Sequence, residues 1–213
     1  MASLLRFLFY AVFIRAIVLI VLGLHVRHRE RLPRSGPAII VANHNSHLDT
    51  MVLMSLFPIR LLPELHPVAA MDYFLTSGLF SWFNLNVVGI LPIKRAVARG
   101  DDNPLAPCNK ALAEGQMLIV FPEGSRGKPE QLQSFKGGIA RLAESNPAVP
   151  VIPVFLHGLG KALPKGEALL VPFFCDIFVG EPLSWTGERR AYMRQLDERM
   201  KQLAEEGNFP AWE

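Results

Sequence analysis

Hydrophobic and polar positions alternate in two kinds of segment from about residue 37 to the C-terminus. Short apolar runs are typical of buried strands, and longer runs with apolar residues at helical spacing indicate amphipathic helices. The pattern predicts strands at 38–42, 67–71, 87–93, 117–121, 151–156 and 169–180. It predicts helices at 47–57, 73–83, 104–114, 130–145 and 187–206. This alternation favours a single α/β domain with a mixed, largely parallel sheet flanked by helices.

The N-terminus departs from this alternation. Residues 4–24 read LLRFLFYAVFIRAIVLIVLGL, an apolar run interrupted only by Arg6 and Arg15. At ~1.5 Å per residue, such a helix would be about 31 Å long and could cross a bilayer. Alternatively, it lies in the interface with both arginines extended to lipid headgroups. The pattern leaves both arrangements open.

A basic flank follows the apolar run and lacks the small-residue cleavage site of a secretory signal. It contains Arg27, Arg29, Arg31 and Arg34. Positive residues beside a membrane segment favour the cytoplasmic face, which is the inner membrane if the source is bacterial. We therefore expect a membrane-associating helix and basic flank over 1–34, and an α/β domain over 35–213.

Composition agrees with a membrane relationship. Half of the 213 residues are hydrophobic and only 19% are charged. The net charge of +3 suits anionic lipid or phosphate better than a nucleic-acid footprint. Two widely separated cysteines, Cys108 and Cys175, provide neither a disulfide framework nor a thiolate zinc site. A reducing compartment is therefore expected.

Polar residues follow four of the predicted strands. The segments are NHNSHLD after 38–42, KR after 87–93, PEGSRG after 117–121 and HG after 151–156. Carboxyl ends of parallel strands share one edge of the sheet, where binding sites form. We therefore expect one functional site at this edge.

The NHNSHLD segment allows three interpretations. Ser46 and Asp49 have capping-box spacing, so they could start a helix. His44, His47 and Asp49 could bind a metal, although no further cluster with ligand spacing supports this. In the third interpretation His44 is a general base, and Asp49 holds its imidazole by one ring nitrogen. Helix start and catalysis are compatible with each other, and we do not expect a metal.

The ordered blocks NHNSHLD (43–49), GILPIKR (89–95), FPEGSRG (121–127) and VIPV (151–154), with FKGG (135–138), resemble the glycerolipid acyltransferase family. The resemblance covers roughly residues 35–160 and is to the 1-acylglycerol-3-phosphate acyltransferases. It implies transfer of a fatty acyl group from acyl-CoA or acyl carrier protein to a lysophospholipid hydroxyl, without a cofactor or metal.

The resemblance also implies roles for individual residues. The H-x4-D pair, His44 and Asp49, is catalytic, whereas His47 occupies a variable position. Acceptor binding falls to the strand-end residues Arg95, Glu123, Gly124, Ser125 and Arg126, with the two arginines on the phosphate. Lys136 either adds positive charge to this site or is simply exposed. Pro92 stands where the family often has an aromatic residue, which leaves the acceptor open.

A thioester is already activated, so this reaction needs a base but no nucleophile from the enzyme. A covalent mechanism would use Ser46 or Ser125, neither of which lies in a G-x-S-x-G turn. The expected function is a membrane-associated O-acyltransferase of phospholipid biosynthesis, with 1-acylglycerol-3-phosphate as the leading acceptor. Alternatives are another lysolipid such as a lyso-ornithine lipid, or a non-enzymatic lipid-binding protein on the same fold.

Overall fold

A computed structural model describes residues 2–73, 78–94, 103–127, 131–163 and 171–209. The strands are β1 (Leu22–Arg27), β2 (Ala38–Ala42), β3 (Leu65–Ala70), β4 (Leu91–Ile93), β5 (Met117–Val120), β6 (Val151–His157) and β7 (Phe173–Val179). The α-helices are α1 (Ala2–Leu8), α2 (Leu48–Ser55), α3 (Gly78–Phe83), α4 (Ala106–Ala113), α5 (Gly138–Ser145), α6 (Leu159–Ala162) and α7 (Arg189–Glu206). Short 3-10 turns lie at Arg29–Arg31, Ile59–Glu64 and Met71–Tyr73, and π-helical turns at Phe9–Ile14, Ile17–Val21 and Asn84–Val88.

The seven strands form one sheet in the order β1-β7-β6-β2-β5-β3-β4. Strands β6, β2, β5, β3 and β4 pair in parallel. Strand β7 is antiparallel to β6, and β1 is parallel to β7. This arrangement confirms the predicted α/β domain with a mixed, largely parallel sheet. It also brings the carboxyl ends of β2, β5 and β6 together.

Apolar side chains on the two faces of the sheet build two cores. All five residues of β2 are buried because β2 is central and covered on both sides. One core joins the sheet to α2, α6 and the N-terminal helical segment, which we define as residues 2–21. The other joins it to α4, α5 and α7. The carboxyl ends of β2, β5 and β6 are therefore held in place by packing on both faces of the sheet.

Two predicted elements have different limits in the structure. The strand predicted at 87–93 is β4 alone, because Asn84–Val88 is helical and Gly89 ends that helix at φ +82°. The helix predicted at 130–145 starts only at Gly138. Gly137 and Gly138 are weak helix formers, and the Lys136 N–H donates to the Pro122 carbonyl instead.

The prediction of one helix over 4–24 is wrong at its C-terminal end. Helical residues end at Val21, and β1 begins at Leu22 and pairs with β7. Apolar residues at the end of the run therefore fill a strand, a choice that local composition could not distinguish from helix. Among the residues that the structure describes, no helix is both long enough and apolar enough to cross a membrane.

The basic flank is partly engaged within the protein. Arg29 donates to the Leu56 carbonyl at 2.9 Å, and Arg31 donates to the Val179 carbonyl at 3.0 Å. Arg31 also forms an ion pair with Glu181 at 2.8 Å. Since these guanidinium groups bind the C-terminal ends of α2 and β7, the flank is not simply a lipid-facing patch.

Candidate functional site

His44 and Asp49 meet at the carboxyl end of β2. His44 Nδ1 lies 2.9 Å from Asp49 Oδ2. The Asp49 side chain is only 1% exposed, whereas His44 is partly exposed. A buried carboxylate that accepts from Nδ1–H fixes the tautomer and stabilises an imidazolium. The geometry therefore permits proton transfer at the other ring nitrogen, Nε2.

Asp49 is itself held by the start of α2. Its Oδ2 accepts the N–H groups of Asn45 at 2.7 Å and Ser46 at 2.9 Å. The Leu48 N–H donates to Ser46 Oγ at 3.2 Å. This resembles a capping box in which the aspartate returns to the backbone of the serine. Helix start and orientation of His44 thus use the same carboxylate.

The loop that carries His44 is anchored to neighbouring elements by two side chains. Asn43 is buried and exchanges two 2.8 Å hydrogen bonds with the backbone of Leu156 in β6. The Ser46 hydroxyl donates to the Leu163 carbonyl at 2.8 Å, just after α6. Because Ser46 uses its proton there, its geometry fits a supporting role better than that of a nucleophile activated by His44.

The FPEGSRG turn after β5 lies directly against His44. The Gly127 N–H donates to the His44 carbonyl at 2.9 Å. The Phe121 ring stacks on the imidazole with centroids 4.2 Å apart. Gly124 adopts φ +76°, where a side chain would be strained and would meet Lys136 Nζ. The turn, His44 and Lys136 therefore form one continuous surface.

Members of the predicted acceptor set differ in exposure. Ser125 and Lys136 are exposed, and Arg126 is half-buried. Glu123 is only 3% exposed. The pKa of its carboxyl is raised to about 7, chiefly by burial. The nearby Asp49 charge also raises this pKa, whereas the backbone N–H groups of Gln133 and His44 lower it. Glu123 therefore faces the protein interior rather than the surface of the turn.

His47 is exposed, three residues after His44. Burial of part of the ring lowers its pKa, and the charges of Arg126 and His44 lower it further. This places Arg126 on the His47 side of the site. The two histidines thus have distinct environments, and only His44 shares a hydrogen bond with Asp49 among the described contacts.

The GILPIKR block lies farther along the same edge. Strand β4 is the third strand from β2 in the sheet, about 14 Å away at ~4.8 Å per strand. Its described part ends at the exposed Lys94. Arg95, the predicted phosphate anchor, lies outside the described residues. Of the described cations, Arg126 lies on the turn beside His44, and the Lys136 side chain lies against Gly124 of that turn.

Sequence reasoning missed two supporting residues, Phe121 and Asn43. Phe121 ends an apolar strand and reads as core, and Asn43 reads as a polar loop residue. Only the pairing of β2 with β5 and β6 shows that they position the His44 loop. Among the described residues, no group of three or more His, Cys, Asp or Glu side chains is placed to bind a metal.

The amino-acid sequence of this chain is similar to the sequences of known proteins. The Acyltransferase family model matches residues 23–157. A chloroplastic 1-acyl-sn-glycerol-3-phosphate acyltransferase of Arabidopsis thaliana is 32% identical over 150 residues, which is 68% of this chain and 38% of that protein. One from Chlamydomonas reinhardtii is 33% identical over 162 residues, which is 73% of this chain and 45% of that protein. The chain thus spans less than half the length of these relatives.

A solved structure shows the same fold. The crystal structure of the 1-acyl-sn-glycerophosphate acyltransferase PlsC from Thermotoga maritima has a TM-score of 0.76 with 24% identity. The match covers 98% of this chain and 80% of that chain. Together with the family match over more than half of the residues, these similarities establish that the chain belongs to the Acyltransferase family.

Proposed function

We propose that this protein is an O-acyltransferase that moves a fatty acyl group from acyl-CoA or acyl carrier protein to the hydroxyl of a lysophospholipid. The leading acceptor is 1-acylglycerol-3-phosphate, which would give phosphatidic acid. The observation that carries the proposal is the 2.9 Å contact between His44 Nδ1 and the buried Asp49 carboxylate, beside the partly exposed turn that bears Arg126. The relatives named above act on this acceptor according to their names.

In the proposed reaction His44 Nε2 accepts the proton of the acceptor hydroxyl as its oxygen attacks the thioester carbonyl. The new C–O bond forms, the C–S bond breaks, and the thiolate takes the proton back from the imidazolium. Asp49 stabilises that imidazolium and keeps Nε2 directed towards the substrate. A well-placed base of this kind contributes about 10²- to 10⁴-fold to the rate.

For the acceptor phosphate we propose Arg126, whose charge acts on His47 beside the base, with Lys136 as a second cation. A guanidinium matches two phosphate oxygens in one plane, whereas the lysine ammonium is a point charge. Gly124 and Ser125 shape the exposed turn between them. Arg95 would add a third cation from the end of the GILPIKR block. Glu123 is buried, so we assign it to holding the His44 loop from inside.

We also propose that the protein associates with membranes through an exposed apolar surface. The N-terminal helical segment packs beside residues 78–88, with the Phe9 and Phe83 rings edge to face at 5.3 Å. Together they expose Leu4, Phe7, Leu8, Val12, Phe13, Leu79, Phe80, Trp82 and Leu85. We call this set the outer apolar surface. Large exposed apolar patches mark interaction sites, and a long-chain lysolipid is itself held in a membrane.

A panel of acceptors and donors tests the proposed function. The purified protein is mixed with acyl-CoA or acyl-loaded carrier protein and with each acceptor, and thiol release and acylated product are measured together. We expect product with 1-acylglycerol-3-phosphate and no thiol release without an acceptor. Product formed only from a lyso-ornithine lipid or another lysolipid would change the acceptor, an alternative that Pro92 keeps open. Absence of transfer to every acceptor would refute the proposal.

A further inference from the structure

Arg6 is half-buried against the rest of the protein, although the apolar run around it suggests a lipid-facing helix. Its Nη2 donates to the Leu65 carbonyl at 2.9 Å, at the start of β3. Its guanidinium also lies against Gly89, so a Cβ at that position would come within 2.5 Å of Arg6 Cζ. Gly89 adopts φ +82°, a conformation that favours glycine. The missing side chain of Gly89 therefore makes room for the Arg6 guanidinium.

Gly89 terminates the crossover helix, which we define as residues 78–88. The N–H groups of Gly89 and Ile90 both donate to the Asn84 carbonyl, at 2.9 and 3.0 Å. The Gly89 carbonyl accepts from His66 Nδ1 at 2.9 Å. A cation at a helix C-terminus interacts favourably with the helix dipole. Arg6 thus stabilises this turn by charge as well as by shape.

The same turn leads directly into β4. This strand has three residues, lies at the end of the sheet and pairs with β3 through Val68–Leu91, Ala69–Pro92 and Ala70–Ile93. So short an edge strand depends on whatever fixes its entry. Its exit, at Lys94, begins the cationic end of the GILPIKR block. A shift at Gly89 would therefore move β4 and Lys94.

We infer that Arg6 is a positioning residue, one that holds the turn at Gly89 and thereby sets the place of β4 and of Lys94 at its end, in the GILPIKR block from which the proposed function takes an acceptor-binding cation. This inference rests on the proposed function for its kinetic consequence, but not for its structural one. It assigns the N-terminal helix a part in acceptor recognition through the protein, in addition to any contact with lipid.

Steady-state kinetics of Arg6→Gln test the inference. The acceptor is a short-chain 1-acylglycerol-3-phosphate used below its micelle concentration, so that membrane binding does not contribute. We expect KM for this acceptor to rise about five- to tenfold, because small misplacements of binding groups are costly, while KM for acyl-CoA stays within about twofold. Arg15→Gln removes the same charge from an exposed position of the same segment and should leave both values unchanged.

Two further variants sharpen the result. Arg6→Lys keeps a cation near the helix terminus without the planar fork, so its acceptor KM should lie between wild type and Arg6→Gln. Gly89→Ala disturbs the contact from the other side and should reproduce the Arg6→Gln pattern. Equal changes in both KM values, or an unchanged acceptor KM in folded Arg6→Gln, would overturn the kinetic part of the inference.

Hydrogen exchange supplies a readout that does not need activity. In Arg6→Gln, or in Arg6→Lys if the first variant cannot be purified, peptides covering 84–94 should exchange faster than in wild type. Peptides from β2 and β5 should not change, and Arg15→Gln should match wild type throughout. Unchanged exchange at 84–94 would refute the inference even if acyl transfer is confirmed. Faster exchange without any acyl transfer in wild type would refute the proposed function alone.

Discussion

The His44 loop and the N-terminal segment are organised in opposite ways. In the loop, one carboxylate, Asp49, gathers the imidazole and two backbone N–H groups within six residues of sequence. In the N-terminal segment, Arg6 contacts residues 59 and 83 positions away. Local hydrogen bonding leaves a short sequence signature, whereas distant packing leaves none. The locally bonded part of a site can therefore be predicted from sequence, whereas the part held by distant packing cannot.

The largest effect is expected where the local arrangement is broken at its centre. His44→Ala should lower kcat by about 10³-fold, because no other group would take the acceptor proton. His47→Ala, three residues away and exposed, should lower kcat by less than about threefold. Both are measured by acceptor-dependent thiol release after circular dichroism has confirmed folding. Similar losses in the two variants would remove the distinction between the histidines.

A smaller loss is expected when the carboxylate is replaced. Asp49→Asn should lower kcat by about 10²-fold, since an amide no longer stabilises the imidazolium and can hold the wrong tautomer. The bonds from Asn45 and Ser46 can still be accepted by the amide oxygen, so the helix start should persist. Urea unfolding measured beside kcat checks this division. A large loss of stability with little loss of kcat would make Asp49 a purely structural residue.

The distant region can be tested at the outer apolar surface. Leu79 is 80% exposed on the crossover helix, and Phe13 is 58% exposed on the N-terminal segment. Phe13→Asp and Leu79→Asp should each lower binding to phosphatidylglycerol vesicles about tenfold, as measured by flotation. Each variant loses an apolar contact with lipid and would also have to bury a charge in the membrane. Kinetics with the short-chain acceptor should be unaffected.

Phe174→Asp is the matched control for that experiment. Phe174 is as exposed as Leu79, at 80%, but lies on β7 outside the outer apolar surface. Its replacement should change vesicle binding by less than about twofold. An equal loss in all three variants would point to nonspecific apolar binding rather than to this surface.

The last expected effect is on stability rather than on activity, and it concerns the buried carboxyl behind the His44 loop. The folded protein raises the pKa of Glu123 from 4.5 to about 7. Between those values the folded state binds more protons than the unfolded chain, so this group lowers stability as pH rises. Glu123→Gln should remove that dependence, and its stability relative to wild type should grow by up to about 3 kcal/mol from pH 4.5 to 7.

Urea unfolding of wild type and Glu123→Gln at several pH values measures this difference. Above about pH 8 the difference should level off, because Glu123 is then ionised in both states. Glu198→Gln removes a carboxyl from an exposed position of α7 and serves as the control. A constant difference across the range would show that Glu123 is not the group that titrates.

Much of the fold was predictable because strand signals were local. The runs at 38–42, 117–121 and 151–156 became β2, β5 and β6, with limits correct to within one residue. The pattern predicts a helix at Leu22 and Leu24, whereas both lie in β1. An apolar run does not indicate which distant strand it will pair with. Likewise, nothing in the sequence near Arg6 indicates that its guanidinium packs against Gly89, far along the chain.

For the site, the sequence indicated which residues to examine, and the structure showed how they are arranged. His44 and Asp49 are paired by the H-x4-D spacing together with the family resemblance, and a strand end and a helix start bring them together. The stacking of Phe121 on His44 and the inward turn of Glu123 could not be foreseen. Both depend on the side-by-side placement of β2 and β5, which come from segments about 80 residues apart.

The central claim is that His44 activates the acceptor for direct attack on the thioester, without an acyl-enzyme. Intact-protein mass spectrometry of wild type mixed with acyl-CoA, before and after addition of 1-acylglycerol-3-phosphate, tests it most directly. We predict an unmodified protein mass throughout, with thiol released only after the acceptor is added. A mass increase by one acyl group before acceptor addition, located by peptide mapping to Ser46 or Ser125, would contradict it.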